Sequence, residues 1–463
     1  VLSRFNQKTS VTVSQNKPDI ASIFPMFLRF IQSIYLIAIS WLWPRLMGIY
    51  RKRPKESIIF VDTFVLPSSF TLEGRFFDRY YAGYDQHLSD AQNEGVWYSP
   101  TLTGLRSLKK CLKMAAQSKR DQHNFLFQES WLTLGDYIHA LYLTIVLPFK
   151  IKKVPSFMGY DVRKFLISEA RKDTLSPLLM KTVCKFKFVN NLKLAGVEVL
   201  QVVNWHENQG IDKALNLGFH KHYPGVIIKG YQGYIAPSYW IHTMPQSFEL
   251  ENLLLPDQMH VISKKRKRDI LDSCPNLDTR VASAFRFSYL RDVSRVESVL
   301  EDPVILITLP IDIYESERIL NACVELHSLV NTKINILVKQ HPAFERYVFA
   351  KLVPLFLNNA FTPTDDSMVT LLGRIFLLIS SASSTCAEAL SLGIPVAVYG
   401  NRYGVTMNPI SDAKGFTSKV FYSKGQLVKF INNSLKKDYQ DKNIDSYFYF
   451  DNGDSAEELF ICK

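Results

Sequence analysis

None of the six cysteines, Cys111, Cys184, Cys274, Cys323, Cys386 and Cys462, stands in a CxxC pair. That scatter fits neither a disulfide framework nor a zinc site, and it suits a reducing compartment. Long apolar runs are missing as well. The most apolar stretch, Phe30–Trp43 (FIQSIYLIAISWLW), falls short of the roughly 20 residues that a bilayer-spanning helix needs. The chain also lacks short internal repeats and low-complexity tracts. With 47% hydrophobic and 21% charged residues it reads as globular rather than disordered.

What is present begins with length and charge. A chain of 463 residues exceeds what one hydrophobic core supports, so two domains are expected. The net charge of +12 favours partners that carry negative charge: nucleotide phosphates, anionic lipid head groups, acidic glycans or nucleic acid. Nucleic acid is the weakest of these, because no recognisable module interleaves basic residues with exposed aromatics. Tyr35, Trp41 and Trp43, followed by the basic run Arg51-Lys52-Arg53-Pro54-Lys55, resemble an interfacial helix on an anionic leaflet. A core helix packed on the first domain is the competing account. A second basic run, Lys264–Arg268, reads as a solvated face or as a patch that steers a charged, lipid-linked acceptor.

Strand-like and helical segments alternate along the rest of the chain. Ser57–Phe64, Glu94–Pro100, Gly196–Val203 and Gly225–Tyr231 read as strands, with a helical stretch expected at Gly74–Tyr81. The cycle restarts with Pro303–Pro310, a near-continuous apolar run of the kind found where both sheet faces are covered. A helix is expected over Ser316–Val330, then strands at Ile334–Lys339, Ile375–Ile379 and Ile394–Tyr399. The fold class is therefore α/β, with two Rossmann-like domains facing an interdomain cleft. The expected divisions are an amphipathic, basic segment over 1–56, a first Rossmann-like domain over 57–295, a second over 296–440 and a tail over 441–463.

Chemistry is concentrated where strands end. Ser380-Ser381-Ala382-Ser383-Ser384-Thr385 leaves an apolar strand and opens a helix, and Thr385 and Glu388 have capping-box spacing. Unsatisfied N–H groups at such a helix start favour an anion at the carboxyl edge of the sheet. Ser381, Ser383, Ser384 and Thr385 would add hydroxyl contacts to phosphate, and Glu388 would hold ribose hydroxyls. Lys339-Gln340-His341-Pro342 ends the strand before it, which places Lys339 and His341 at the same edge. A protonatable imidazole there would meet a leaving phosphate. On the first half, Glu207 directly follows a strand, with His206 beside it and Asp212 close behind, and Glu129 follows the apolar Phe125–Phe127. These carboxylates are the candidates for acid–base work or acceptor binding.

Lys339-Gln340-His341-Pro342, followed by the serine turn, Glu388-Ala389-Leu390 and Gly393-Ile394-Pro395-Val396, resembles the donor half of GT-B glycosyltransferases. The His-Pro and serine motifs are similar to those of bacterial enzymes that use CMP-activated acidic sugars, sialic acid or Kdo. Asn204–Gln209, Tyr231-Gln232-Gly233 and Ser283–Phe287 resemble transferases of lipopolysaccharide and capsule synthesis, β-Kdo transferases among them. The resemblance covers about residues 57–440. It implies a nucleotide-sugar donor held by Lys339, His341, Pro342 and the serine cluster, with Glu388 at the ribose and no metal or other cofactor. The acid or base would come from across the cleft. It further implies a glycan or lipid-linked glycan acceptor and a cytoplasmic enzyme peripheral to the inner membrane face. Asp365-Asp366 lies in a loop containing Pro and Thr, and reads as a solvated acid pair rather than a metal motif. A UDP- or GDP-sugar transferase of the same architecture and a non-catalytic glycan-binding assembly subunit remain the alternatives.

Overall fold

β1 (Ile58–Val65) is buried along nearly its whole length, as its sequence IIFVDTFV requires of a central strand covered on both faces. Its one acid, Asp62, is tolerated because Lys185 Nζ reaches it at 2.6 Å, with both side chains almost wholly out of solvent. The structure is a computed structural model. It describes residues 20–461 apart from 50, 52, 72, 104–106, 151–160, 238–239, 295–300, 342–351, 353, 355–360, 382, 402–405, 412, 414–417 and 437–446.

Seven parallel strands form the first sheet: β1, β2 (Val96–Leu102), β3 (Asn124–Phe125), β4 (Val199–Trp205), β5 (Ile227–Gln232), β6 (Gln258–Val261) and β7 (Asp278–Val281). Their order is β3-β2-β1-β4-β5-β6-β7. The second sheet is again all parallel, with β8 (Val304–Thr308), β9 (Asn335–Lys339), β10 (Phe361–Pro363), β11 (Leu377–Ser380), β12 (Val396–Tyr399) and β13 (Ser418–Phe421). They run in the order β10-β9-β8-β11-β12-β13. The expected two Rossmann-like domains are therefore present in the GT-B arrangement. One apolar cluster joins them, running from Val61, Val203 and Tyr231 through Phe285, Phe287 and Phe448 to Leu306, Leu378 and Val398.

Several local expectations need correction. Gly74–Tyr81 is irregular rather than helical. Gly74 sits at φ +86°, and Asp78 Oδ1 accepts the Tyr80 N–H at 2.8 Å, which closes a turn instead of a helical ladder. The helix expected over Ser316–Val330 breaks into Ile313–Cys323 and Leu326–Leu329 at Glu325, whose φ is +66°. The basic run opens the helix Lys264–Ser273, but Arg266 is buried. It donates to Gln232 Oε1 (2.9 Å) and to the Thr243 carbonyl (2.9 Å), so it ties the end of β5 to its following loop.

The two ends of the chain also differ from expectation. The N-terminal apolar stretch belongs to a 27-residue helix, α1 (Ile20–Leu46), of which Met26–Leu46 is long and apolar enough to cross a membrane. One flank of α1 nonetheless docks on the first domain. Ile37, Ile39 and Trp43 are buried, and Trp43 meets Phe127 edge-on at 5.3 Å. Each such side chain stabilises the docked state by about 1.5–3 kcal/mol. The segment set apart as a tail, 441–463, packs into the first domain where it is described. The Ala284 N–H donates to the Tyr449 carbonyl (2.8 Å), and Phe460 stacks on Tyr84 at 4.0 Å.

Candidate functional site

Parallel strands deliver all their carboxyl ends to one edge, and an open sheet has its crevice where strand order reverses. The reversals fall between β1 and β4 in the first sheet and between β8 and β11 in the second. Glu207 follows β4, and the serine turn follows β11. Both motifs therefore stand at the switch points of their own sheets. They meet in one cavity of about 270 Å³, lined by Glu207, Tyr234, Trp240, Arg286, Ser383 and Ser384 among others.

The serine turn is more internally committed than its sequence suggests. The helix it opens, Thr385–Ser391, has only seven residues and begins where expected. Ser383 Oγ accepts from the Thr385 N–H (3.3 Å) and from Thr385 Oγ1 (2.8 Å), and the Cys386 N–H donates to the Ser383 carbonyl (3.1 Å). Two of the N–H groups expected to face an anion are thus used within the turn. Thr385 is drawn inward, with its hydroxyl 3.2 Å from Thr308 Oγ1 across the β8–β11 crevice. Ser381 is buried, and its carbonyl accepts the Ser383 N–H at 2.8 Å.

Glu388 is the clearest departure from the ribose-holding expectation. It is only 3% exposed, its Oε1 accepts from Ser384 Oγ (3.0 Å), and its Oε2 accepts from Tyr289 Oη. Burial raises its pKa, and the two hydroxyl donors oppose that rise. Both oxygens are engaged, so Glu388 orients Ser384 and clamps Tyr289 instead of facing the cleft. Ser384 spends its proton on Glu388. Ser383, by contrast, only accepts among the described residues, which leaves its own proton available to an anion in the cavity.

At the end of β9 the two expected residues diverge. Lys339 Nζ donates to the Asp366 carbonyl at 2.7 Å, so the ammonium is turned onto the loop after β10. Asp366 also pairs with Arg374 at 2.6 Å, and Asp365 and Asp366 are both exposed. His341 is half-buried and feels Arg286. Burial, followed by that guanidinium, holds its pKa below the ordinary histidine value. The imidazole is therefore neutral around pH 7, and a bound phosphate would raise its proton affinity. Pro342 lies outside the described residues.

Of the first-domain candidates, Glu207 faces the cavity. Trp205 Nε1 donates to its Oε1 (2.8 Å) and Gln209 Nε2 to its Oε2 (2.7 Å), so the carboxylate is held in one orientation. The indole fits because Gly233 stands against it. A Cβ there would lie 2.4 Å from the Tyr231 ring and 2.6 Å from Trp205. Asp212 is buried, and its Oδ2 accepts the N–H groups of Glu207 and Gln209, both at 2.9 Å. It shapes the Glu207 turn and does not reach the cavity. Burial pushes its pKa up to about 8. His206 is fully buried in the alternate direction along the strand end, and burial followed by Lys213 pushes its pKa down to about 3. Glu129 lines a different pocket, beneath α1, with Lys181, Cys111 and Cys184. Neither His206 nor Glu129 shares a cavity with Ser383 and Ser384.

Arg286 is not marked out by the sequence alone, although it lies within the motif Ser283–Phe287. It lies in the 3-10 segment Phe285–Asp292, and its guanidinium sits 5.7 Å from the centre of the Tyr80 ring. It lines the cavity with Glu207 and the serines, and it acts electrostatically on His341 and Glu388. The signal available in the sequence was a lone arginine within an aromatic run, which is too common to single out.

No protein-family description and no curated protein sequence matches the chain. Several solved structures are similar to it. A Listeria monocytogenes protein described as a UDP-N-acetylglucosamine 2-epimerase aligns over 87% of this chain and 95% of its own, with a TM-score of 0.50 and 12% identity. MnaA of S. aureus, solved with UDP, aligns over 87% and 95% at a TM-score of 0.49 and 12% identity. The UDP-GlcNAc 2-epimerase of Neisseria meningitidis, bound to UDP-GlcNAc, aligns over 87% and 98% at 0.48 and 14%. The likeness to the Listeria protein, at 12% identity, concerns the fold alone.

Proposed function

We propose that the protein is a glycosyltransferase that moves an acidic sugar, Kdo or a relative, from a CMP-linked donor onto a growing lipopolysaccharide or capsule glycan. The observation that carries this reading is the shared cavity. A carboxylate and a guanidinium from the first domain, Glu207 and Arg286, face the Ser383–Ser384 turn of the second. Such a pocket suits a substrate with an anionic group at one end and a hydroxyl to be deprotonated at the other.

In the proposed reaction the acceptor hydroxyl oxygen bonds to the anomeric carbon while the bond from that carbon to the donor phosphate breaks. Glu207 takes the hydroxyl proton and later releases it to solvent. The nucleotide leaves with the bonding electron pair. Its phosphate charge is met by Arg286, by the Ser383 hydroxyl and by His341, which can bind a proton as the charge develops. Tyr234 and Trp240 offer apolar ring faces to a sugar. The resemblance implies metal independence, so transfer is expected to survive EDTA. The enzyme would work at the inner face of the cytoplasmic membrane, held there by α1.

A UDP- or GDP-sugar is the second reading, because Arg286, Ser383 and His341 recognise negative charge and not a base. Isothermal titration separates the two. CMP should bind more tightly than UMP, GDP or ADP, whereas tighter binding of UDP than of CMP would move the donor to the other class. Loss of transfer in EDTA, restored by a divalent cation, would refute metal independence.

A further inference from the structure

Large apolar side chains exposed singly need no explanation, but a contiguous set does. The helix Leu134–Val146 carries such a set. Leu134, Ile138, Tyr142 and Ile145 are exposed on successive turns and form one outward stripe. Its opposite side, Tyr137, Ala140 and Thr144, is buried. A helix that is apolar on both sides has a second apolar environment to meet.

The neighbouring elements extend the same feature. Phe149 follows directly, and Phe165 and Leu166 project from the helix Arg163–Lys172. The outer side of α1 is exposed and apolar too, and α1 is anchored beside them. Arg29 donates to the Lys172 carbonyl, and Ser33 Oγ donates to the Leu175 carbonyl at 3.4 Å. Basic groups fringe the aromatics: Arg163 and Lys164 flank Phe165, and the Arg171 guanidinium lies 5.7 Å from the centre of the Phe149 ring. Of the acids nearby, Glu169 is paired with Lys172 and Asp161 accepts the Arg163 N–H at 2.9 Å. Exposed aromatics and aliphatics edged by arginine and lysine match the interface of an anionic bilayer, where apolar groups enter below the head groups and cations stay among the phosphates. A second copy of this face would set that basic fringe against like charge.

We propose that the helices Leu134–Val146 and Arg163–Lys172 form, with α1, a composite face that lies in the head-group region of an anionic bilayer. Membrane contact is thus made by two separate parts of the chain, and α1 lies in the plane because its Ile37–Trp43 flank is occupied by the domain. This extends the membrane placement proposed above and is independent of the donor.

The test uses the full chain in flotation with vesicles of phosphatidylethanolamine and phosphatidylglycerol, compared with phosphatidylcholine alone. Ile138→Asp combined with Tyr142→Asp should weaken binding to the anionic vesicles by about tenfold or more while α1 remains intact. Arg163→Glu combined with Lys164→Glu should weaken it by about fivefold per position, with a shallower salt dependence. Both pairs are solvent-exposed, so melting temperature and CMP titration should stay at wild-type values. Wild-type flotation of both variants, or equal binding to both vesicle types, would overturn the proposal. So would a wild-type dimer that the aspartate variant converts to monomer, since the face would then join two copies. Vesicle binding without nucleotide binding would instead defeat the transferase reading and leave this one standing.

Discussion

On the second domain the polar lining of the cavity comes from Ser383 and Ser384, in the turn that continues directly from β11. On the first domain it is lined by Glu207, Arg286 and aromatic side chains collected from segments far apart in the chain. The first kind of lining can be read as a motif, because a strand and the turn after it fix where its own hydroxyls stand. The second kind depends on which loops the sheet order brings together. The two sides also differ in charge. Neutral hydroxyls face a carboxylate and a guanidinium, a contrast that the proposed reaction assigns to donor binding on the second domain and to proton and charge management on the first.

The sharpest way to break that division is Glu207→Gln, which keeps the shape and removes the charge. Transfer should fall by about 100- to 10,000-fold while CMP affinity, read by titration, changes little. An equal loss of CMP affinity would place Glu207 in donor binding and erase the contrast. Glu129→Gln serves as the control, and its separate pocket beneath α1 predicts near-normal turnover.

A smaller effect tests whether the division is complete. Arg286 belongs to the first domain yet should contact the donor anion, so Arg286→Ala should weaken CMP binding by about 1.5–3 kcal/mol. His341→Ala should cost a similar amount and should also change the pH dependence. The imidazole is neutral in the unliganded protein, and phosphate raises its proton affinity. The ratio of wild-type to His341→Ala affinity for CMP should therefore rise as pH falls through the histidine range, a ratio in which the titration of the CMP phosphate itself cancels. A ratio that does not change with pH would put the titrating group elsewhere. Within the serine turn, Ser383→Ala should weaken binding more than Ser384→Ala, because the Ser384 proton is already given to Glu388.

The last test reads stability rather than transfer and concerns the support under Glu207. Burial makes Asp212 hold its proton up to about pH 8 in the folded chain, whereas in the unfolded chain it is released near the ordinary aspartate value of about 3.8. The folded state therefore binds more protons between those limits, and stability from this group falls as pH rises from about 4 to 8. Asp212→Asn keeps an acceptor for the two N–H groups and removes the titration. Its melting temperature relative to wild type should be higher at pH 8 than at pH 5. A constant difference across that range would show that Asp212 is ionised in the fold.

How far the site was legible follows from the same contrast. The apolar strands β1, β8, β11 and β12 stood out because both of their faces are buried. β6 (QMHV), β7 (DTRV) and β13 (SKVF) are short, carry polar residues, and are strands only because a neighbour supplies their ladder. Glu207 and the serine turn were legible as strand-end residues. Glu388, Lys339 and His206 all stand at strand ends or turns in the sequence, yet each is engaged or buried by a group distant in the chain: Tyr289, the Asp366 carbonyl and the interior around Gly230. Arg286 escaped for the converse reason, since its importance lies in its surroundings and not in its spacing.

The two α/β halves, the strand that leads to Glu207 and the strand that ends in serines are written in local sequence, because side-chain burial and turn chemistry act over a few residues. Which polar groups face the cleft, that α1 is both docked and exposed, and that residues 447–461 pack on the first domain follow from long-range contacts. Those outcomes depend on contacts such as Phe460 on Tyr84 and Tyr289 on Glu388. Their free energy comes from surfaces that meet only after both sheets have formed.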